Sequence, residues 1–194
     1  DDYTVASATG NLTFPDGTTD GETQNVSVTI IDDALLEASE NLNITLSNIS
    51  NVLVPIVDAN GIGTITDNDA AGAGDGIAVS DFTVNENVGT TDFVVTYTGP
   101  TVSGAFTVDF AIADGSALSP DDYTVASATG NLTFPDGTTD GETQNISVTI
   151  IDDALLEASE NLNITLSNIS NVLVPIVDAN GIGTITDNDA AGAG

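Results

Sequence analysis

Apolar and polar residues alternate along most of the second half of the chain. In the clearest run, about 105–113, every second residue from Phe106 to Ile112 is apolar. This period of two places the apolar side chains on one face of a β-strand. Turn signals such as Pro135-Asp136-Gly137 separate the runs, so the pattern predicts an all-β, antiparallel sandwich of about seven strands. The predicted strands are about 77–84, 91–98, 105–113, 122–134, 143–151, 161–168 and 181–186.

Two of the predicted strands are interrupted. The alternation in the first breaks near Ser80-Asp81, which predicts a bulge or a strand that changes sheets. The strand that starts at Asp122 is predicted to kink near residues 128–130. Helix is nearly absent from the pattern, and only Ala154 to Glu160 could form a single turn.

The chain repeats itself with a period of 120 residues. Residues 1–74 and 121–194 are identical except that Val26 stands opposite Ile146. A period of this length fits one small domain per repeat. We therefore expect 75–194 to be a complete repeat, preceded by a short linker at about 70–76, and 1–74 to be the C-terminal part of a preceding repeat. Near-identical copies in series favour a spacer or stalk, because an enzyme gains little from them.

Charge narrows the possible partners. The chain has 30 acidic residues and no Lys, Arg or His, so its formal net charge is −30. Nucleic acid is excluded as a partner, because phosphate contacts need basic side chains. No apolar run is long enough to insert into a membrane, and no Cys is available for a disulfide. No basic-then-apolar start resembles a signal peptide, so we expect an internal piece of a longer protein.

The acidic residues concentrate in one stretch that occurs twice, at 30–40 and at 150–160. In the second copy, Ile150-Ile151 lead into four carboxylates within nine residues. Two carboxylates about 4 Å apart cost roughly 4 kcal/mol near a protein surface, and no basic side chain can neutralise them. Oxygen ligands without nitrogen or sulfur indicate a hard cation, and we predict Ca²⁺. Alternate turns of a sandwich lie at the same end, so these residues should converge there: Glu86, Asp122, Asp152, Asp153, Glu157, Glu160, Asp187 and Asp189.

The sequence also resembles the Calx-beta domain family over nearly all of 75–189. The resemblance is carried, in order, by Val84-Asn85-Glu86, Asp114-Gly115-Ser116-Ala117, Asp122-Tyr123, Gly130-Asn131-Leu132-Thr133-Phe134, Gly141-Glu142-Thr143-Gln144, Ile150-Ile151-Asp152-Asp153, Glu157 to Glu160, and Asp187-Asn188-Asp189. It implies an immunoglobulin-like sandwich that binds Ca²⁺ at one end.

The same resemblance implies a ligand set. It adds the carbonyl of Leu155 to the eight carboxylates above. Asn188 stands where calcium-binding members have a third acid, so this site has one negative charge fewer. The corresponding residues of the first copy are Asp2, Asp32, Asp33, Leu35, Glu37, Glu40, Asp67 and Asp69.

The sequence leaves other interpretations of the carboxylates and of the function open. The carboxylates of the loop could be merely solvated, or a pair could serve glycoside hydrolysis. An enzyme is the least expected class, since nucleophile–base pairs have no His, Cys or Lys to draw on. We expect a calcium-stiffened repeat of a secreted or cell-surface stalk, adhesin or filament, whose partners are the neighbouring repeats. The alternatives are a filament subunit that pairs strands with other copies, and a module that binds a glycan or protein target.

Overall fold

The computed structural model describes residues 2–189 and divides the chain into two compact units. The first unit comprises the residues up to Ala34 together with Ala38–Asp67. The second comprises Leu35–Glu37 and the residues from Asn68 onward. The predicted all-β class is confirmed, and the one helical element in the described part of the chain is a 3₁₀ turn at Glu86–Val88. The end of the predicted repeat, 190–194, lies outside the described residues.

The first unit contains two antiparallel pairs of strands. Strand β1 (Tyr3–Val5) pairs with β2 (Val28–Ile30). The next strand in the sequence, β3 (Leu35–Leu36), belongs to the second unit. Strand β4 (Glu40–Thr45) pairs with β5 (Asn60–Ile65).

The second unit is a sandwich of two five-stranded sheets. Its strands are β6 (Gly76–Val79), β7 (Phe82–Asn85), β8 (Thr90–Thr98), β9 (Thr101–Val102), β10 (Phe106–Asp114), β11 (Tyr123–Val125), β12 (Thr129–Phe134), β13 (Thr143–Ile150), β14 (Glu160–Ser167), β15 (Ile176–Asp178) and β16 (Asn180–Thr186). One sheet has the order β12-β10-β14-β16-β7, and the other has the order β11-β13-β8-β6-β15. A separate short ladder joins β3 to β9.

Both predicted interruptions are places where the chain passes from one sheet to the other. The break near Ser80-Asp81 separates β6 from β7, and these strands lie in different sheets. The kink near residues 128–130 separates β11 from β12 in the same way. Both halves of this divided strand pair in parallel with later strands, β6 with β15 and β7 with β16. The sandwich is therefore not wholly antiparallel.

The core of the second unit lies between its two sheets. Phe106 on β10 stacks on Phe134 at 5.0 Å between ring centroids, and Tyr97 meets Phe106 edge-on at 6.0 Å. The Tyr97 hydroxyl donates to the carbonyl of Pro100 at 2.6 Å, so its polar atom is satisfied although the ring is buried. Phe134 is 0 % exposed, whereas its first-copy counterpart Phe14 is 49 % exposed. Among the described residues of the first unit, no strand pairs with the segment around Phe14 as β10 pairs with β12.

Three features differ from the sequence-based expectations. The residues 154–159 form no helical turn; they are an open loop between β13 and β14. The short strands β3, β9 and β15 were not predicted. The alternation places Asp109 on the exposed face of the strand predicted at about 105–113, where solvation alone is expected; instead, Asp109 accepts hydrogen bonds from the Asn131 amide at 2.8 Å and the Asn168 amide at 3.0 Å. Among residues 2–189, there is no helix long and apolar enough to span a membrane.

Candidate functional site

Four separate segments deliver carboxylates to one end of the second unit. Glu86 begins the 3₁₀ turn directly after β7, and Asp122 directly precedes β11. The loop 151–159 joins β13 to β14, and the segment Asp187–Asp189 directly follows β16. We call this end of the sandwich the acidic pole. Its recess is lined by six of the eight carboxylates that were predicted to converge: Glu86, Asp122, Asp153, Glu157, Glu160 and Asp187.

The first cluster at the acidic pole is formed by Glu86, Asp187 and Asp189. One carboxylate oxygen from each lies within 4.8 Å of the other two. Glu86 is only 5 % exposed, and its Oε1 has no hydrogen-bond partner among the described residues; the same is true of Asp189 Oδ2. Asp187 is held in place because Oδ1 accepts from the Asp189 amide at 2.7 Å and Oδ2 from the Glu157 amide at 2.9 Å. Buried anionic oxygens without donors are costly, so this cluster requires a proton or a cation.

Electrostatics at Glu86 favour the same conclusion. Burial raises the pKa of the Glu86 carboxyl above its ordinary value of 4.5. A hydrogen bond from the Asn188 backbone opposes this shift, while the charges of Asp187, Asp189 and Asp153 add to it. The ionised form of Glu86 is therefore unfavourable here unless a cation is bound beside it.

The second cluster is formed by Asp122, Glu157 and Glu160, again with ligand atoms within 4.8 Å of one another. Asp122 is fixed on both sides: its Oδ2 accepts from the Leu118 amide at 2.6 Å, and its carbonyl accepts from the Ile151 amide at 2.9 Å. Burial, a hydrogen bond with Asp122 and the charges of Asp122 and Glu157 raise the pKa of Glu160 to about 7. Partial desolvation, together with Asp153, Asp122 and Asp187, also raises the pKa of Glu157. Mutual repulsion thus disfavours full ionisation of this cluster near neutral pH, and a bound cation would offset it.

Comparison with known sequences identifies the family. The profile described as the Calx-beta domain matches residues 1–71 and again residues 72–189. The chain belongs to the Calx-beta domain family. The resemblance noted from the sequence motifs is thereby confirmed. No curated protein sequence matches the chain.

Solved Calx structures share the fold of this Calx-beta chain. The apo-form Calx CBD1 domain is 28 % identical, with a TM-score of 0.50, over 58 % of this chain and 96 % of that one. The calcium binding domain CBD12 of CALX1.1 is 29 % identical, with a TM-score of 0.51, over 60 % of this chain and 47 % of that one. CBD12 from CALX1.2 is 28 % identical, with a TM-score of 0.51, over 58 % and 45 %. The match therefore spans about half the length of either CBD12 structure.

Four residues implied by the Calx-beta resemblance lie at the acidic pole but outside the two clusters. Asp152 accepts a hydrogen bond from the Asn188 side-chain amide at 3.3 Å. Asp153 Oδ1 accepts from the Leu155 amide at 2.7 Å, which shapes the loop. Asn188 thus ties the segment after β16 to the β13–β14 loop. The Leu155 carbonyl as a ligand stays a prediction.

In the first Calx-beta copy, one local feature of the second is repeated. The Asp2 carbonyl accepts from the Ile31 amide at 2.9 Å, as the Asp122 carbonyl does from Ile151. The role of the first-copy residues as ligands stays a prediction. Of the others, Asp32 and Asp33 follow β2, Leu35 and Glu37 belong to the second unit, Glu40 begins β4, and Asp67 and Asp69 follow β5.

Sequence reasoning missed two hydrogen bonds made by Asp122 and the residue after it. The Leu118 amide donates to Asp122 Oδ2, and the Tyr123 hydroxyl donates to Asp114 Oδ1 at 2.7 Å. Burial and the bond with Asp114 raise the pKa of the Tyr123 hydroxyl, so it stays a donor. Asp114 and Tyr123 were both in the motifs that suggested the family. Their spacing of nine residues gave no indication that the two side chains meet.

Proposed function

We propose that the second copy binds Ca²⁺ at the acidic pole, with one ion at each of the two carboxylate clusters. The observation that carries this proposal is the pair of buried oxygens, Glu86 Oε1 and Asp189 Oδ2, that have no partner in the described chain. A cation would satisfy both atoms and offset the repulsion between the three acids. The name of the similar CALX1.1 structure, a calcium binding domain, supports the choice of metal.

The donor set favours calcium over transition metals. Every side-chain ligand at the pole is an oxygen, and the chain contains no His or Cys. Ca²⁺ takes 6–8 oxygen ligands in flexible geometry, so three carboxylates per cluster leave room for carbonyls and water. Mg²⁺ requires a stricter octahedral shell and releases its water reluctantly, which makes it the informative competitor.

Binding to the folded pole stabilises it by linkage. A ligand at a hundredfold excess over Kd that binds only the native state contributes about 2.7 kcal/mol. Extracellular calcium modules have Kd values of roughly 10⁻⁴–10⁻³ M. Sites of that strength fill where calcium is plentiful, which is consistent with a secreted or cell-surface location.

The metal assignment is tested by calorimetric titration of the chelator-treated protein with Ca²⁺ and then Mg²⁺. We expect calcium to bind and to raise Tm, and Asp187→Asn to weaken binding. Asp178→Asn is the matched control, because Asp178 ends β15 and caps the Asn180 amide at 3.2 Å, at the opposite end of β16 from the pole. Absence of binding heat, or equal affinity in both variants, would refute the assignment.

At the level of the whole molecule, we propose a tandem repeat that serves as a calcium-stiffened stalk, adhesin or filament outside the cell. The near-identical copies, the absence of basic residues and the carboxylates next to the linker support this role. A cation bound by Asp187 and Asp189 would hold the chain just before residue 190. That the protein is not an enzyme, and the filament-assembly and glycan-binding alternatives, stay predictions.

Stiffening is measurable because the chain lacks cysteine. Spin labels at Thr13→Cys and Thr133→Cys, equivalent exposed positions in the two copies, report the distance between copies by pulsed electron resonance. We expect calcium to narrow the distance distribution and chelator to broaden it. Equal widths with calcium bound would leave the metal site intact but contradict the stiffening role.

A further inference from the structure

The same leucine pair occurs twice in the chain, each time between identical flanking residues. Its structural environment differs between the two copies. Residues 30–40 and 150–160 are the same eleven residues. Leu36 is 4 % exposed, whereas Leu156 is 62 % exposed, and Leu155 beside it is also 62 % exposed. Local sequence cannot account for this difference, so it must come from what Leu36 contacts.

Leu36 contacts the sandwich of the second unit. The pair forms β3 and lies parallel to β9, with Leu35 opposite Thr101 and Leu36 opposite Val102. The Ser103 amide donates to the Leu36 carbonyl at 3.2 Å. Leu36 also belongs to the hydrophobic core cluster of that unit, together with the fully buried Val102. Main-chain pairing and side-chain burial therefore act together.

Strand β9 is a preformed acceptor for such a pair. One of its edges is held by the turn after β12, because the Val102 amide donates to the Thr138 carbonyl and the Gly137 amide donates to the Val102 carbonyl, both at 3.0 Å. Its other edge receives β3. An extended pair of apolar residues that adds to this edge continues the layer formed by β9 and the turn after β12. This is the strand-addition mode of recognition.

We propose that Leu155–Leu156 is the donor half of a joint between repeats, and that it docks in parallel on the segment equivalent to Thr101–Val102 in a further copy of repeat 75–194. The partner must be another repeat, because Thr101–Val102 of this chain already receives Leu35–Leu36. The donor sequence is identical in both copies, so the contact seen once is chemically available again. Tethering makes so small a contact effective, since linked modules meet at roughly millimolar effective concentration.

The donor pair sits between Asp153 and Glu157, but docking itself uses only main-chain and apolar groups. The proposal is therefore independent of the calcium assignment. Cation binding to the loop would order the pair before it docks and would add to the joint without being required for it.

The test appends a second copy of residues 75–194 after residue 194, isotopically labelled by segmental ligation so that only the added copy is observed. Hydrogen exchange is then followed at its serine equivalent to Ser103, in calcium-containing buffer. We expect this amide to be protected, and Leu156→Asp to speed its exchange by at least about tenfold. The benchmark is Leu36→Asp in the 194-residue protein, which should expose the Ser103 amide itself.

The matched control is Val172→Asp, since Val172 is 93 % exposed on the loop after β14, at the other end of that strand. This variant should leave the exchange unchanged. Leu156→Asp should not alter the Tm of the 194-residue protein, which shows that the variant folds. An amide that is unprotected in the extended protein, or protection that survives Leu156→Asp, would overturn the proposal.

Discussion

Replacing Glu86 by Gln should change stability in opposite directions with and without calcium. In the metal-free protein, Glu86 is buried beside Asp187 and Asp189, and its Oε1 has no partner among residues 2–189. Gln has nearly the same shape, and its carbonyl oxygen can still accept from the Asn188 backbone. The substitution removes the negative charge and preserves the packing, so the metal-free variant should be more stable than the wild type.

Two energies limit the size of this gain in stability. At 4.8 Å and an effective dielectric constant of about 20, each neighbouring carboxylate repels Glu86 by about 3.5 kcal/mol. Glu86 can escape this repulsion by taking up a proton, which at pH 7 costs about 3.4 kcal/mol for a carboxyl with an ordinary pKa of 4.5. The electrostatic penalty on Glu86 therefore cannot exceed the free energy that this protonation costs. Allowing for water on the half-buried aspartates, we expect a gain of about 1–2 kcal/mol, or roughly 4–8 °C in Tm.

Calcium should reverse the order. If the lost ligand raises Kd a hundredfold, a calcium concentration that was 100 times Kd becomes equal to Kd. The linkage contribution then falls from about 2.7 to about 0.4 kcal/mol. The variant should therefore be more stable than the wild type in chelator, and less stable than the wild type in calcium.

Differential scanning calorimetry in chelator and in millimolar calcium measures both effects. Glu142→Gln is the matched control, because Glu142 precedes β13 at the end remote from the acidic pole. It should respond to calcium as the wild type does. The reasoning is refuted if Glu86→Gln destabilises the metal-free protein while the calcium-induced rise in Tm remains intact.

Three further predictions follow from the same structure. In chelator, Tm should be a few degrees higher at pH 5 than at pH 7.5, because Glu160 with a folded pKa of about 7 binds a proton that the unfolded chain has already lost at its ordinary 4.5; a flat or rising profile contradicts this. Asp153→Asn should lower calcium affinity in calorimetric titration by removing charge from the recess wall, and unchanged affinity and stoichiometry would count against it. In urea unfolding, Phe134→Ala should cost about 3–5 kcal/mol and Phe14→Ala less than about 1, since only Phe134 is fully buried; equal costs would show that the first copy has a comparable core.

Much of the fold could be predicted because period-two alternation directly reports a strand with one buried face. Strands β10, β13 and β14 lie within about one residue of the predicted bounds, and both predicted interruptions separate strands in different sheets. The short strands could not be found in this way. Strand β9 has two residues, too few to show a period, and it is a strand because of its pairing with β3 and its bonds to the turn at Thr138.

The candidate site was predictable in its location but not in its internal arrangement. The rule that alternate turns share one end brought Glu86, Asp122 and Asp187 together correctly in one recess. Their division into two clusters depends on atomic positions that no spacing encodes. The partnership of Asn188 with Asp152 depends likewise on how the segment after β16 meets a loop 36 residues away. Sequence motifs identify which segments meet, whereas the packing of loop on loop decides which oxygens do.

The near-identical copies separate what local sequence determines from what the surroundings determine. Phe14 and Phe134 have the same neighbours along the chain, as do Leu36 and Leu156, yet one member of each pair is buried and the other is exposed. In each case, the buried residue contacts strands that lie far from it in sequence. The exposure of an apolar residue in one copy is therefore poor evidence that it faces solvent in the tandem protein. In a tandem protein, its environment depends on whether the neighbouring repeat supplies the strand that covers it.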